Sequence, residues 1–131
     1  MSDIPKITPA LSIMHISDTH RIKNENITNS ELKSSLYSDN KKFKVEVPHI
    51  KNPDIIILSG DVIQGLNVGG GNYPLDLQKQ YEEAEKFCLD LVETFLDGHK
   101  SKLIIVPGNH DIDWNKAFSS MEKKPLKPEN V

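Results

Sequence analysis

The sequence predicts an α/β domain: a mostly parallel sheet with a crossover helix. Three observations lead there. Three short apolar runs, Leu11–Ile16, Ile55–Leu58 and Leu103–Val106, have the length and branching of strands. One long stretch between the second and third runs repeats apolar residues at the spacing of a helix face. A helical crossover between two buried strands is the mark of a parallel sheet. Each run also ends in a polar cluster, at the carboxyl end where such sheets bind ligands.

Taken in order, residues 1–10 contain two prolines and read as a lead-in. Leu11, Ile13, Met14 and Ile16 make the first strand, which runs into Ser17-Asp18-Thr19-His20. Residues 21–40 are rich in Asn, Ser and Lys and read as a loop or insertion, with room for a helical turn around Glu31–Tyr37. In "KKFKVEVPHIKN" the alternation of Phe43, Val45 and Val47 suggests a short strand, a helix start being the alternative. Ile55–Leu58, between Pro53 and Gly60, reads as a strand covered on both faces. "GLNVGGGNYP" has too many glycines for regular structure. Leu77, Tyr81, Ala84, Phe87, Cys88, Leu91, Val92, Phe95 and Leu96 then form one helical stripe, with Asp76 as the cap and Gly98 as the stop. Leu103–Val106 is the third buried strand, and the tail from Lys123 has nothing to bury.

The chain of 131 residues suits one domain, and its net charge of -3 does not suit a general polyanion binder. Nucleic acid is therefore possible as a partner but not indicated. One cysteine, Cys88, allows no disulfide within the chain and fits a reducing compartment, the cytoplasm. No apolar run approaches the ~20 residues of a membrane span, and the first residues lack the pattern of a signal peptide.

The polar clusters carry the chemistry. Asp18 and His20 are two apart, so on an extended chain they point the same way. Gly60-Asp61 follows the second strand and Gly108-Asn109-His110-Asp111 the third. Carboxylate, imidazole and amide donors together suit Mn, Fe, Zn, Ni or Co, and the lack of a thiolate argues against a structural zinc site. Two such ions can clamp a phosphate and acidify a water, while an imidazole protonates the leaving oxygen. Asp111 is placed to fix the ring of His110.

"DTH" at 18–20, "GD" at 60–61 and "GNHD" at 108–111, in this order and each after an apolar strand, resemble the first three signature blocks of the calcineurin-like metallophosphoesterase family. The resemblance implies that Asp18 and His20 hold one metal, Asp61 bridges two, and Asn109 binds the second, with Mn the leading candidate. It implies His110 and Asp111 as the catalytic pair and a phosphate ester as substrate. "ISDTH" and "VPGNHDIDW" look most like the cyclic-nucleotide-phosphodiesterase-like branch. Family members continue to a later His, a "GHxH" block and a second sheet. The resemblance therefore implies the amino-terminal half of an αββα sandwich: a partial domain over 11–120, with 121–131 a polar tail or linker to the remainder of a longer chain. A domain of that kind would be weakly active or inactive alone. The alternatives are a non-catalytic binding or assembly module and a nuclease-type member of the same family.

Other conspicuous residues have plainer readings. His15 reads as a half-buried strand residue, His49 and His99 as surface residues, and Cys88 as core. Trp114 reads as packing under the "GNHD" loop. The glycines at 69–71 lack the Lys-Ser/Thr of a P-loop and read as a flexible connection or lid. Lys41, Lys42 and Lys44 read as a solvated edge.

Overall fold

A computed structural model describes residues 11–22, 27–46 and 49–122. The lead-in at 1–10, the residues from Lys123 onward and the alternating position Val47 lie outside the described residues. The elements run β1 (Ile13–Ser17), α1 (Asn29–Val45), β2 (Ile55–Ser59), α2 (Leu75–Phe95), β3 (Leu103–Val106) and α3 (Trp114–Glu122). The strands form one parallel sheet in the order β1-β2-β3, with Ile13 opposite Ile55 and Ile57 opposite Ile104. Each parallel step is made through a helix, as parallel pairing requires.

The first departure from expectation is α1. Where a polar loop and a short strand were expected, the chain is helical for 17 residues. Thr28 caps the start: its Oγ1 accepts from Glu31 N, and the Glu31 carboxylate accepts from Thr28 N at 2.7 Å. This capping box satisfies donors that a helix start leaves open. The inward stripe is the buried Asn29 and Asn40 with the half-buried Leu32 and Leu36 between them, at helical spacing. Half of it is polar, so hydropathy hides it. Asn29 donates to Glu83 O at 3.0 Å and Asn40 to Asn52 Oδ1 at 2.9 Å, which offsets the cost of burying their amides.

The α2 helix matches its stripe more closely, with Leu77, Ala84, Phe87, Leu91, Val92 and Phe95 buried. Gln80 is buried in place of Tyr81, which is 40% exposed. Asp76 lies inside the first turn rather than at the cap, and its carboxylate accepts from Asn72 N. Gly98, at φ 78°, closes the end by donating to Val92 O. That left-handed position suits glycine, as a helix stop requires.

The core joins these helix faces to Ile56 and Leu58 of β2. Both helices pack on that side of the sheet, and α1 packs on α2. The expectation of strands covered on both faces is therefore corrected. In β2 burial alternates, with Ile56 and Leu58 inside and Ile55 and Ile57 half-buried. The edge strand β3 is more open still: Ile104, Ile105 and Val106 are 45%, 51% and 50% exposed. His15, expected half-buried, is exposed on the open face, where its Nε2 meets the Ser59 hydroxyl. No helix among the described residues is long and apolar enough to cross a membrane.

Candidate metal centre

Beyond the strand ends, β1 and β2 stay zipped together. Asp18 N donates to Gly60 O, His20 N to Asp61 O and Arg21 N to Val62 O. Thr19 Oγ1 adds a bond to Val62 O at 3.1 Å, and Arg21 bridges to Ile63. Gly60 N, in turn, donates to Val106 O, drawing in β3. The three loops that the sequence marked are thus adjacent, zipped by backbone pairing to which a few of their polar side chains add.

Asp18, His20 and Asp61 each bring a donor atom into a group whose members all lie within 4.8 Å of one another. All three residues are left-handed, with φ of 54°, 46° and 49°. Among the described non-glycine residues only Asp97, at the end of α2, shares that conformation. Left-handed L-residues cost roughly 1–2 kcal/mol each, and such strain concentrates at functional sites. The sequence carries no sign of this strain.

The donors fit a divalent cation. His20 Nδ1 is buried and has no hydrogen-bond partner among the described residues. Buried polar atoms are almost always paired, and one imidazole nitrogen of His20 together with two carboxylates is a donor set that suits a divalent cation. Asp61 is also held from behind, its Oδ1 accepting from His110 N at 3.0 Å.

His110 stands next to this group. Its ring lies edge-on to that of His20, centroids 5.1 Å apart, and its Nε2 is 4.0 Å from Asp61 Oδ2. Its Nδ1 faces Gln64 O, which can only accept, so Nδ1 carries the hydrogen and Nε2 is the nitrogen turned to the acidic group. Here the expected partnership with Asp111 is corrected. Asp111 does not touch the imidazole; its two oxygens accept from Ile63 N at 2.9 Å and Gly108 N at 2.7 Å. It staples the β2 and β3 loops together, and a backbone carbonyl orients the histidine instead.

Asn109 begins the short 3₁₀ turn Asn109–Asp111 and borders a cleft of about 350 Å³ beside His110. Gln64, Gly65, Gly70, Gly71 and Trp114 are among the neutral groups that line the rest. Trp114 both packs, donating from Nε1 to Asn109 O at 2.8 Å, and lines this cleft. The glycine loop is tied at Gly69, whose N donates to Asn115 Oδ1, and at Gly65, which the buried Gln80 amide grips by both N and O. A Cβ on Gly65 would lie 2.7 Å from His110 O, so the loop reaches the histidine only because it carries glycine there.

Sequence reasoning missed Gln64, Gln80 and Arg21. The first acts through its backbone carbonyl, which no residue type marks. The other two are polar side chains inside the fold, indistinguishable in sequence from solvated ones. No curated protein matches the chain as a relative. Residues 11–131 match the profile of the calcineurin-like phosphoesterases, so this chain, with three parallel strands and flanking helices as in the amino-terminal half of that fold, belongs to that family of metal-dependent phosphoester hydrolases.

Proposed function

We propose that the chain carries the first half of a two-metal site that hydrolyses a phosphodiester. Asp18 and His20 hold one cation, Asp61 bridges, and Asn109 binds the second, with Mn the preferred ion over Fe, Zn, Ni or Co. The observation that carries this reading is the cluster of three donor atoms within 4.8 Å, on three residues held in left-handed strain. Bound cations supply positive charge to the phosphoryl oxygens and acidify water.

The residues of the chain do the rest. His110, its Nδ1 hydrogen anchored on Gln64 O, presents Nε2 to the leaving oxygen; in the doubly protonated imidazolium form it gives its Nε2 proton to that oxygen and is left as the neutral Nδ1–H ring. The neutral cleft beside it receives the organic part of the ester. A diester, which carries one organic group more than a monoester, uses that space better. A cyclic nucleotide, the ester that the short sequence blocks suggest, is of a size that fits. Residues 11–120 act as part of a larger domain, and the lone Cys88 thiol suits the cytoplasm.

The test is Mn-dependent hydrolysis of bis(p-nitrophenyl) phosphate against p-nitrophenyl phosphate, by this chain and by any longer natural form. Asp61→Asn should abolish turnover of the diester. Full turnover by that variant would show that Asp61 is not the bridge. One observation favours a second reading, an assembly module without catalysis: the open apolar sheet face at Ile13, Ile104 and Val106. Metal binding without turnover in every form would select it.

A further inference from the structure

We infer that Arg21 is a positioning residue, which holds Asp18 and His20 in their ligand geometry by gripping the carbonyl between them. The inference rests on the metal reading above. Asp18 and His20 are both left-handed, so the turn they share needs an outside restraint. Thr19 lies between them, and Arg21 donates to Thr19 O twice, from Nε at 3.0 Å and from Nη2 at 2.9 Å. The far end of the guanidinium is anchored as well. Nη1 donates to Ile27 O at 3.1 Å and reaches Asn29 Oδ1 at 3.4 Å, and Cζ lies 5.8 Å from the centre of the Phe87 ring. Asn29 continues the line to Glu83 O on α2.

The side chain is 5% exposed, so the guanidinium is held inside the fold. A planar fork with fixed donors suits this task; a lysine cannot reproduce it. The chain of contacts therefore runs from the rigid helix pair to one carbonyl oxygen, with a candidate ligand on either side.

Arg21→Lys isolates the geometry, because it keeps the charge and much of the packing while losing the double grip. The experiment is calorimetric titration of Mn into the full chain, together with the visible absorption of bound Co and the Tm of the metal-free protein. Arg21→Lys should weaken Mn binding about tenfold or more, the usual loss when a group orienting a metal ligand is removed. It should also change the Co band shape. Leu91→Ala, a core cavity remote from the turn, should lower Tm yet leave Mn affinity within about twofold. Asn29→Ala, which removes one anchor of the guanidinium's far end and leaves the bond to Ile27 O, should give a smaller loss than Arg21→Lys, and it carries the test if Arg21→Lys does not fold. An Arg21→Lys protein with wild-type Mn affinity and Co spectrum overturns the inference. So does wild-type affinity in Asn29→Ala when Arg21→Lys is unfolded. A wild-type chain that binds no Mn overturns the metal reading itself, a result distinct from either.

Discussion

Gly108→Ala should disable the centre without substituting any candidate ligand. The backbone there is extended, at φ -102°, so conformation does not require glycine. Space does. A Cβ at this position would overlap Asp61 Oδ1 and lie 2.5 Å from Asp61 N and 2.9 Å from Gly60 Cα. Two of those atoms are backbone and cannot swing aside, so the β2 and β3 loops must part by several tenths of an ångström. Overpacking of this kind costs about 1–3 kcal/mol. At roughly 3–6 °C per kcal/mol for a chain of this size, Tm should fall by about 3–18 °C. The functional loss should be larger, because Asp61 is the group displaced. A misplacement near 1 Å can cost about 100-fold in rate. Thermal unfolding measures the first effect, and Mn titration with diester hydrolysis measures the second. Gly69→Ala is the control. Its φ of 71° imposes a left-handed penalty of about 1 kcal/mol, yet nothing lies within 4 Å of the added carbon. It should lower Tm slightly and leave Mn affinity unchanged. Gly108→Ala with wild-type affinity, or Gly69→Ala with the larger loss, would refute the claim that close approach of Gly108 to Asp61 builds the site.

Two further outcomes follow from the same contacts. Asp111→Ala removes both carboxylate bonds to Ile63 N and Gly108 N and should cost about 2–3 kcal/mol in denaturant unfolding; an effect confined to turnover, with stability intact, would return Asp111 to the catalytic role expected from sequence. Asp54 answers to pH: the Lys51 ammonium at 2.9 Å and the Ser12 amide at 2.8 Å hold its carboxyl below the ordinary 3.8. A depressed folded pKa stabilises above the unfolded value and the effect is lost as pH falls through the folded one. Asp54→Asn should therefore destabilise the chain at pH 7 and match wild type more closely once pH falls through the lowered folded-state value, under the ordinary 3.8, which acid unfolding curves of the two proteins will show.

The residues of the candidate centre could be named one by one, because each follows an apolar run and is of a type that suits metal or proton chemistry. Asp18, His20, Asp61 and His110 stand where the order of strands implied. Their orientation was not legible. Asp111 looked like the partner of His110 because it is adjacent in sequence, but backbone amides from two loops compete for its oxygens and win. The α1 helix was hidden because its buried stripe includes Asn29 and Asn40, whose cost of burial is offset by partners far along the chain. The covering of β3 was overestimated for a similar reason: an apolar run reports what could be buried, not what is there to bury it.

Local composition and periodicity mark the three strands, the α2 helix and the side chains whose types suit metal or proton chemistry, since those signals depend on neighbours a few positions away. The left-handed turns at the ligands, the Arg21 grip on Thr19 and the fit of Gly108 against Asp61 depend on atoms brought together from different elements. Such contacts come into being only when the sheet pairs and the helices close over one side of it, so no reading of the chain in one dimension could contain them.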